Sequence, residues 1–390
     1  MHIKRYLEKI IANDLDKKMV FVGGPRQVGK TTLAHSIGNN ALTPSDYLNW
    51  DNRADRQRIL KQQFMGDSRL VIFDELHKYR QWKNYLKGLY DTNNQKYALL
   101  ITGSARLDLY RHGGDSLMGR YHYFRLHPFS IAELLNLTPN IIVGKSLSFS
   151  SLNSRSAYDS LFKWGGFPEP LFTKDERHLR RWQNERLDRL IEDDIRDVEL
   201  VRDLSSLQVL NELLPSKVGA LFSLNSLRED LGVTHKTIAH WVEILERFYY
   251  HYRIYPYQAT AIKSLRKEPK LYLWDWSVLE NSAARLENIV ASHLLKFVHY
   301  LKDADGHNVE LFFLRDVAGR EIDFLITHHR EPWFAVEVKL SDTTPSKNLN
   351  YFEQRLKIPF LYQIVETPNV DWQEKNVRVM SVDKFLNALI

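Results

Sequence analysis

Gly24-Pro25-Arg26-Gln27-Val28-Gly29-Lys30-Thr31 fits the pattern G-x-x-x-x-G-K-[ST], and its flanks decide how it is read. Ahead of it, Val20, Phe21 and Val22 make a short β-branched and aromatic run. Behind it, Thr32, Leu33, Ala34 and Ile37 continue at helical spacing. A strand, a glycine loop and a helix in that order form a phosphate cradle. Gly24 and Gly29 let the backbone wrap an anion, so that N–H groups of the loop, those of Gln27 and Val28 included, and the helix N-terminus with Thr32 face its oxygens. Lys30 supplies a point charge to the outer phosphates, and Thr31 offers a hydroxyl to Mg2+. The plainer alternative is a glycine turn that happens to precede a lysine, which usually lacks these flanks. The stretch predicts a site for a nucleoside triphosphate, ATP with Mg2+.

Such a site needs a buried strand ending in a carboxylate, and Leu70-Val71-Ile72-Phe73-Asp74-Glu75 supplies one. Four apolar residues in a row suit a central strand of a parallel sheet, covered on both faces. Asp74 at the tip is placed to hold Mg2+, and Glu75 to orient or deprotonate the attacking water. An Asp-Glu pair after a strand also opens ordinary helices. A further apolar run, Tyr97 to Ile101, leads into Thr102-Gly103-Ser104-Ala105, where Ser104 or Thr102 would sense the γ-phosphate or merely cap a helix. Ser116-Leu117-Met118-Gly119-Arg120 follows; Arg120 is the candidate guanidinium for the transition state, in cis or in trans, or else a surface arginine.

The chain has 390 residues, room for two or three domains. It has no cysteine, which excludes disulfides and Cys-ligated zinc. The start, Met1 to Glu8, is charged and amphipathic without an apolar signal core, and no run approaches the roughly 18 apolar residues of a membrane span. The cytoplasm, with no membrane contact, is the expected compartment. With 54 basic and 48 acidic residues the net charge is +6, a slight bias towards nucleic acid that composition alone cannot turn into a DNA-binding claim.

The loop with its preceding glycine, Val71-Ile72-Phe73-Asp74-Glu75-Leu76-His77-Lys78 with Trp82 behind it, and Thr102-Gly103-Ser104-Ala105 together resemble the AAA-type ATPases widespread in bacteria and archaea. Ser116 to Arg120, the Leu126-His127-Pro128-Phe129-Ser130 segment and Gly165-Gly166-Phe167-Pro168-Glu169-Pro170 belong to the same signature. The resemblance runs nearly the whole length and implies a helical linker, a winged helix and a nuclease-like C-terminal domain.

The serine-rich stretch Lys145 to Ser154 has no period and reads as a linker. Arg180 to Leu200 reads as a charged helix with Trp182, Leu187, Leu190, Ile191 and Ile195 on one face; its Glu192-Asp193-Asp194 cluster reads as a solvated surface. From Ser226 onward a short helix to Leu231, a turn at Gly232, a cap at Thr234 and a longer helix from His235 to Phe248 give helix-turn-helix anatomy. Ile238, Trp241, Val242 and Leu245 then face inward, which leaves His235, Lys236, Thr237 and His240 for a DNA groove. Tyr249 to Tyr255 alternates like a wing strand, with Lys263, Arg266 and Lys267 in reach of phosphate. A winged helix used only for packing against protein fits the same pattern.

Near the C-terminus, Leu286-Glu287-Asn288 begins a helix, Gly319 to Ile326 is a strand holding Asp323, and Trp333 to Leu340 is a second strand. Period two there puts Glu337 and Lys339 on one face. A carboxylate on one strand and Glu-x-Lys on the next is the arrangement of the PD-(D/E)xK nucleases, in which Glu287, Asp323 and Glu337 would hold Mg2+ or Mn2+ and Lys339 would help activate water. The alternative is a retained metal or ion-pair cluster without turnover.

The expected architecture is therefore α/β: a P-loop ATPase domain with a parallel sheet in residues 1–145, a helical linker or lid in 146–204, a winged helix in 205–265 and a PD-(D/E)xK nuclease-like α/β domain in 266–390. The expected function is ATP hydrolysis coupled to binding and cutting of DNA. Its rivals are a nucleotide switch or scaffold for a protein partner, as a homo-oligomer or otherwise, and a DNA-bound ATPase with an inactive nuclease fold.

Overall fold

The computed structural model of the chain describes residues 3–93, 96–103, 117–138, 140–195, 204–258 and 267–390. It divides into two compact units: Met1–Pro128 with Arg247–Tyr249, and Phe129–Glu246 with Tyr250–Ile390. Residues 146–204, 205–265 and 266–390, expected as separate domains, thus fall within one unit apart from Arg247–Tyr249.

The first unit is built on five parallel strands, β1 (Met19–Gly23), β2 (Ser45–Asn49), β3 (Leu70–Asp74), β4 (Ala98–Thr102) and β5 (Tyr121–Arg125), in the order β2-β3-β4-β1-β5. Every residue of β1 and β3 is buried, as continuous apolar runs between two helical layers should be. β2, an edge strand, instead alternates between half-buried and buried residues. On one face of the sheet Phe21, Val71, Phe73, Leu99 and Ile101 pack with Trp82, Leu86 and Leu89 from the helix Trp82–Asn93. Pairing runs Val22↔Thr102, Thr102↔Asp74 and Asp74↔Asn49, which lines up the carboxyl ends of β1, β4, β3 and β2. Ligands of open parallel sheets bind along that edge.

In the second unit a mixed sheet runs β12-β13-β11-β10-β9-β8-β6-β7. Its strands are β6 (His251–Pro256), β7 (Lys270–Leu273), β8 (Val309–Arg315), β9 (Glu321–His328), β10 (Glu331–Lys339), β11 (Phe360–Val365), β12 (Asp371–Glu374) and β13 (Val377–Ser381). The strand expected as a wing is β6, and it pairs with β7 on one side and β8 on the other. The expected boundary at 265/266 therefore falls between two neighbours of one sheet. The 22-residue helix Ser282–Asp303 lies on this sheet, capped by Asn281, whose side chain accepts from the N–H groups of Ala283 and Ala284. Asn288, fully buried, pairs its amide with both backbone groups of Leu273, which fixes β7 against the start of that helix.

The same helix buries Lys296, which pairs with Glu133 and donates to Ser130 Oγ at 2.8 Å. A buried pair contributes little net stability, yet breaking it strands a charge in a poorly solvating interior. Lys296→Met is expected to cost about 3–5 kcal/mol in urea unfolding. Adding Glu133→Leu should recover part of that loss, whereas two additive losses would show that the two groups do not depend on each other.

Candidate functional site

The loop after β1 leaves at the carboxyl edge of the first sheet. Gly24 (φ +141°) lies so close to the chain leaving β5 that a Cβ there would sit 2.4 Å from the Leu126 carbonyl oxygen. Gly29, at φ +98°, starts the helix Lys30–Asn40 in the left-handed region that glycine tolerates best. Lys30 folds back across the loop and donates to the carbonyls of Gly24 (3.0 Å) and Pro25 (2.7 Å). Val28 is fully buried, Gln27 takes φ +64°, and Thr31 and Thr32 lie exposed at the first turn.

Asp74 is the hub of this edge. Its Oδ2 accepts from Thr31 Oγ1 at 2.8 Å and from Tyr47 Oη at 2.7 Å, and its Oδ1 accepts from Thr102 Oγ1 at 2.7 Å. The loop helix, β2 and β4 are thereby tied to the tip of β3. Glu75 follows in the left-handed region at φ +57°, a conformation whose cost is commonly met at functional sites, and its N–H donates to the Thr102 carbonyl. Burial raises its carboxyl pKa above the ordinary value, while Lys30 and then Lys78 pull it down. Lys78 lies 3.7 Å from Glu75 and 2.5 Å from Asp51, and His77 Nε2 lies 3.5 Å from Glu75 Oε2.

Of the residues chosen from sequence, Gly24, Gln27, Val28, Gly29, Lys30, Thr31, Thr32, Asp74 and Glu75 gather here. Ser104 lies outside the described residues; Thr102, named beside it, holds Asp74. Arg120 does not join them within one chain. Parallel pairing of Met19 with Tyr121 and of Gly23 with Arg125 puts it at the amino edge of the sheet, while the loop leaves the carboxyl edge, a strand's length of roughly 13 Å away. There it forms a two-pronged pair with Asp91, so it does not reach this site within one chain. Two contributors were missed. Tyr47 carries a signal only as an outward residue of an edge strand, and burial, then Asp74, raises its pKa, so that it stays a donor. Arg5 donates to the Val28 carbonyl at 2.8 Å and to that of His127, bracing the loop from a stretch with no motif.

The C-terminal carboxylates also gather. Pairing of Val336 with Phe324 brings the next residues, Glu337 and Asp323, side by side, and Asp323 Oδ2 accepts from the Val338 N–H at 2.9 Å. Lys339 pairs with Glu337 Oε1 at 2.7 Å; Glu337 Oε2 is buried and has no hydrogen-bond partner among the described residues. What the sequence did not show is Lys270. From β7 its Nζ lies 2.6 Å from Glu321, 3.3 Å from Glu287 and 3.4 Å from Asp323, and the residue is 2% exposed. Burial opposes its charge, but Glu287, Asp323 and Glu321 outweigh burial and raise its pKa. Tyr272 adds a hydrogen bond to Glu287 at 2.7 Å, and a Cβ on Gly219 would meet that carboxylate at 3.1 Å. Burial, with Asp323 next, raises Glu287 and Glu337 to about 7.

The fit of a metal ion differs between the two places. At Asp74 a carboxylate and the Thr31 hydroxyl stand together beside a phosphate loop, the donor set that Mg2+ with a nucleotide requires. Among the described residues no three His, Cys, Asp or Glu side chains are placed to hold a metal. Glu287 and Asp323 are instead turned onto the Lys270 ammonium, so the residues expected as metal ligands do not, as arranged, form a metal site.

Helix Leu224–Leu231, a left-handed turn at Gly232 (φ +65°) and helix His235–Arg247 form a helix pair, with Thr234 Oγ1 accepting from the Thr237 N–H. His235, Lys236, His240 and Lys267 are exposed and Thr237 is half-buried; Lys263 and Arg266 lie outside the described residues. The side chains of Glu192, Asp193 and Asp194 also lie outside the described set. Among the described residues no helix is long and apolar enough to cross a membrane.

Residues 16–135 match the family model of an AAA domain, and the start of the chain is an AAA-type, ATPase-like domain. Residues 155–288 and 283–385 match two domains of unknown function, DUF8612 and DUF4143, so Lys270 falls in one match, Asp323 and Glu337 in the other, and Glu287 in both. An uncharacterized protein of Methanocaldococcus jannaschii is 23% identical over 90% of this chain and 82% of its own length. An uncharacterized protein of Mycobacterium tuberculosis is 26% identical over 67% of this chain; the chain spans about half, 55%, of that relative. Among solved structures, the Thermotoga maritima RuvB Holliday junction branch migration motor matches at 18% identity and TM-score 0.31, covering 67% of this chain and 93% of that one.

Three outcomes follow from the geometry around Asp74. Tyr47→Phe removes one donor and should weaken Mg2+-dependent ATP binding about 3- to 10-fold while leaving binding in EDTA unchanged, as read by titration with a fluorescent nucleotide. Were Glu75 the base for hydrolysis it would have to be ionised, so the rate should then fall as pH drops through its raised pKa, at higher pH than an ordinary glutamate would give. Lys78→Ala removes a cation that lowers that pKa and should move the acid limb of kcat further up; an unmoved limb would separate Lys78 from Glu75.

Proposed function

We propose that the chain is a Mg2+-dependent ATPase that works on DNA. The observation that carries the first half is the hydrogen bond from Thr31 to Asp74 at the mouth of the phosphate loop, with Glu75 as the next residue. In this reading the loop N–H groups and Lys30 bind the phosphates, and Thr31 and Asp74 would hold Mg2+. When bound, the ion offsets charge on the phosphate oxygens. Glu75 orients a water towards the γ-phosphorus and takes its proton. A bond forms from the water oxygen to phosphorus, the bond from phosphorus to the bridging oxygen breaks, and ADP and phosphate leave. Thr102 and Tyr47 keep Asp74 in place throughout.

DNA as partner is supported by the exposed His235, Lys236 and His240 on the second helix of the helix pair, with Lys267 further along the chain. A second reading, metal-dependent cleavage of that DNA, is favoured by the adjacency of Asp323 and Glu337 with Lys339 alongside. It would require a divalent ion at carboxylates of which Lys270 now answers Glu287 and Asp323.

Lys30→Ala should lose most ATP binding, and Glu75→Gln should keep binding but lose hydrolysis by roughly 100-fold or more. Full hydrolysis in Glu75→Gln would remove the glutamate from the mechanism. Duplex DNA affinity should fall steeply with salt, and Lys236→Glu should lower it further and flatten that slope. No binding at low salt would turn the reading towards a protein partner.

A further inference from the structure

We infer that Lys270 is the resident cation of the C-terminal carboxylate cluster, a tethered ammonium in the place a divalent metal would occupy. The argument begins with what surrounds its Nζ. Carboxylate oxygens of Glu321, Glu287 and Asp323 lie 2.6, 3.3 and 3.4 Å away, on β9 and on the helix Ser282–Asp303, while Lys270 itself comes from β7. These are the elements whose carboxylates would have to converge on a metal. An ammonium at the point of convergence offsets their mutual repulsion and donates to each, which are the two things a divalent ion would otherwise do.

The ammonium is also built in. Asn288 clamps Leu273 at the end of β7 through both of its backbone groups, and the chain at Val218 and Leu221 bridges to Leu271 and Lys270 along the strand. Tyr272 on the same strand donates to Glu287. Gly219 lies against the Glu287 carboxylate so closely that a Cβ would touch it. Lys270 is therefore held by its strand as well as by its charge, and a metal could enter only by moving an ammonium that three carboxylates and a clamped strand retain. Glu337, beside Asp323, is answered on one oxygen by Lys339, and its other oxygen, without a hydrogen-bond partner among the described residues, does not alone make a metal site.

The consequence is a domain with nuclease-like acidic residues that is complete without metal and does not cut phosphodiesters. The inference is independent of the ATPase reading and stands against cleavage. The test uses the full chain without nucleotide, in an Asp74→Asn background that removes the carboxylate bonded to Thr31 at the phosphate loop. Thermal unfolding is followed in EDTA and in millimolar Mn2+ at matched ionic strength, and plasmid nicking is followed in parallel. The expected result is a Tm that Mn2+ leaves unchanged, no nicking, and a fall on the order of 10 °C in Lys270→Met, which strands the carboxylates. A Tm that rises with Mn2+ and stops rising after Asp323→Asn would overturn it, as would nicking that needs Asp323. A Lys270→Met chain as stable as its parent would overturn it too. Should Lys270→Met not fold, the Mn2+ response of the parent still decides. ATP hydrolysis, measured on the chain with Asp74 intact, reports on the other reading separately.

Discussion

A charge buried in protein must be answered by a partner, and that constraint organises both units of this chain. Asp74, at 6% exposure, is answered by three hydroxyls from three elements, Thr31, Tyr47 and Thr102. Each donor restrains the strand or helix that carries it, so the carboxyl edge of the parallel sheet is set around one side chain. Remove that carboxylate and the phosphate loop loses its link to β3, and β2 and β4 lose their common anchor.

The second unit meets the same constraint with ammonium groups. Lys296 answers Glu133 deep in the unit, and Lys270 answers Glu287, Glu321 and Asp323 at the edge of the mixed sheet. The two lysines do different work. Lys296 holds the stretch after Phe129 onto a long helix, whereas Lys270 holds together carboxylates that would otherwise repel. Since fold does not settle function, these side chains decide what the acidic cluster can do.

Around Asp74 the geometry divides labour among neighbours. Glu75 is set by a left-handed backbone, and its charge by the opposition of burial to Lys30 and Lys78. Arg5 braces the loop through the backbone carbonyls of Val28 and His127. Within one chain Arg120 does not bring a guanidinium to this site, because the strand register carries it to the opposite edge.

By itself the sequence determined the local pieces. Glycine spacing with a lysine and threonine specified the phosphate loop, because the needed backbone torsions and donors are contiguous. Four apolar residues before Asp74 specified a doubly covered strand for the same reason. Alternation in β10 placed Glu337 and Lys339 on one face. What only the tertiary structure decided is which distant residues meet. Tyr47 reaches Asp74 across the pairing of β2 with β3, and β6, the strand expected as a wing, finds its partners in β7 and β8. Lys270 enters the acidic cluster from a strand 53 residues before Asp323. Strand order and register carry no local signature, since they follow from long-range packing, and they turn an expected metal site into one answered by the chain's own ammonium.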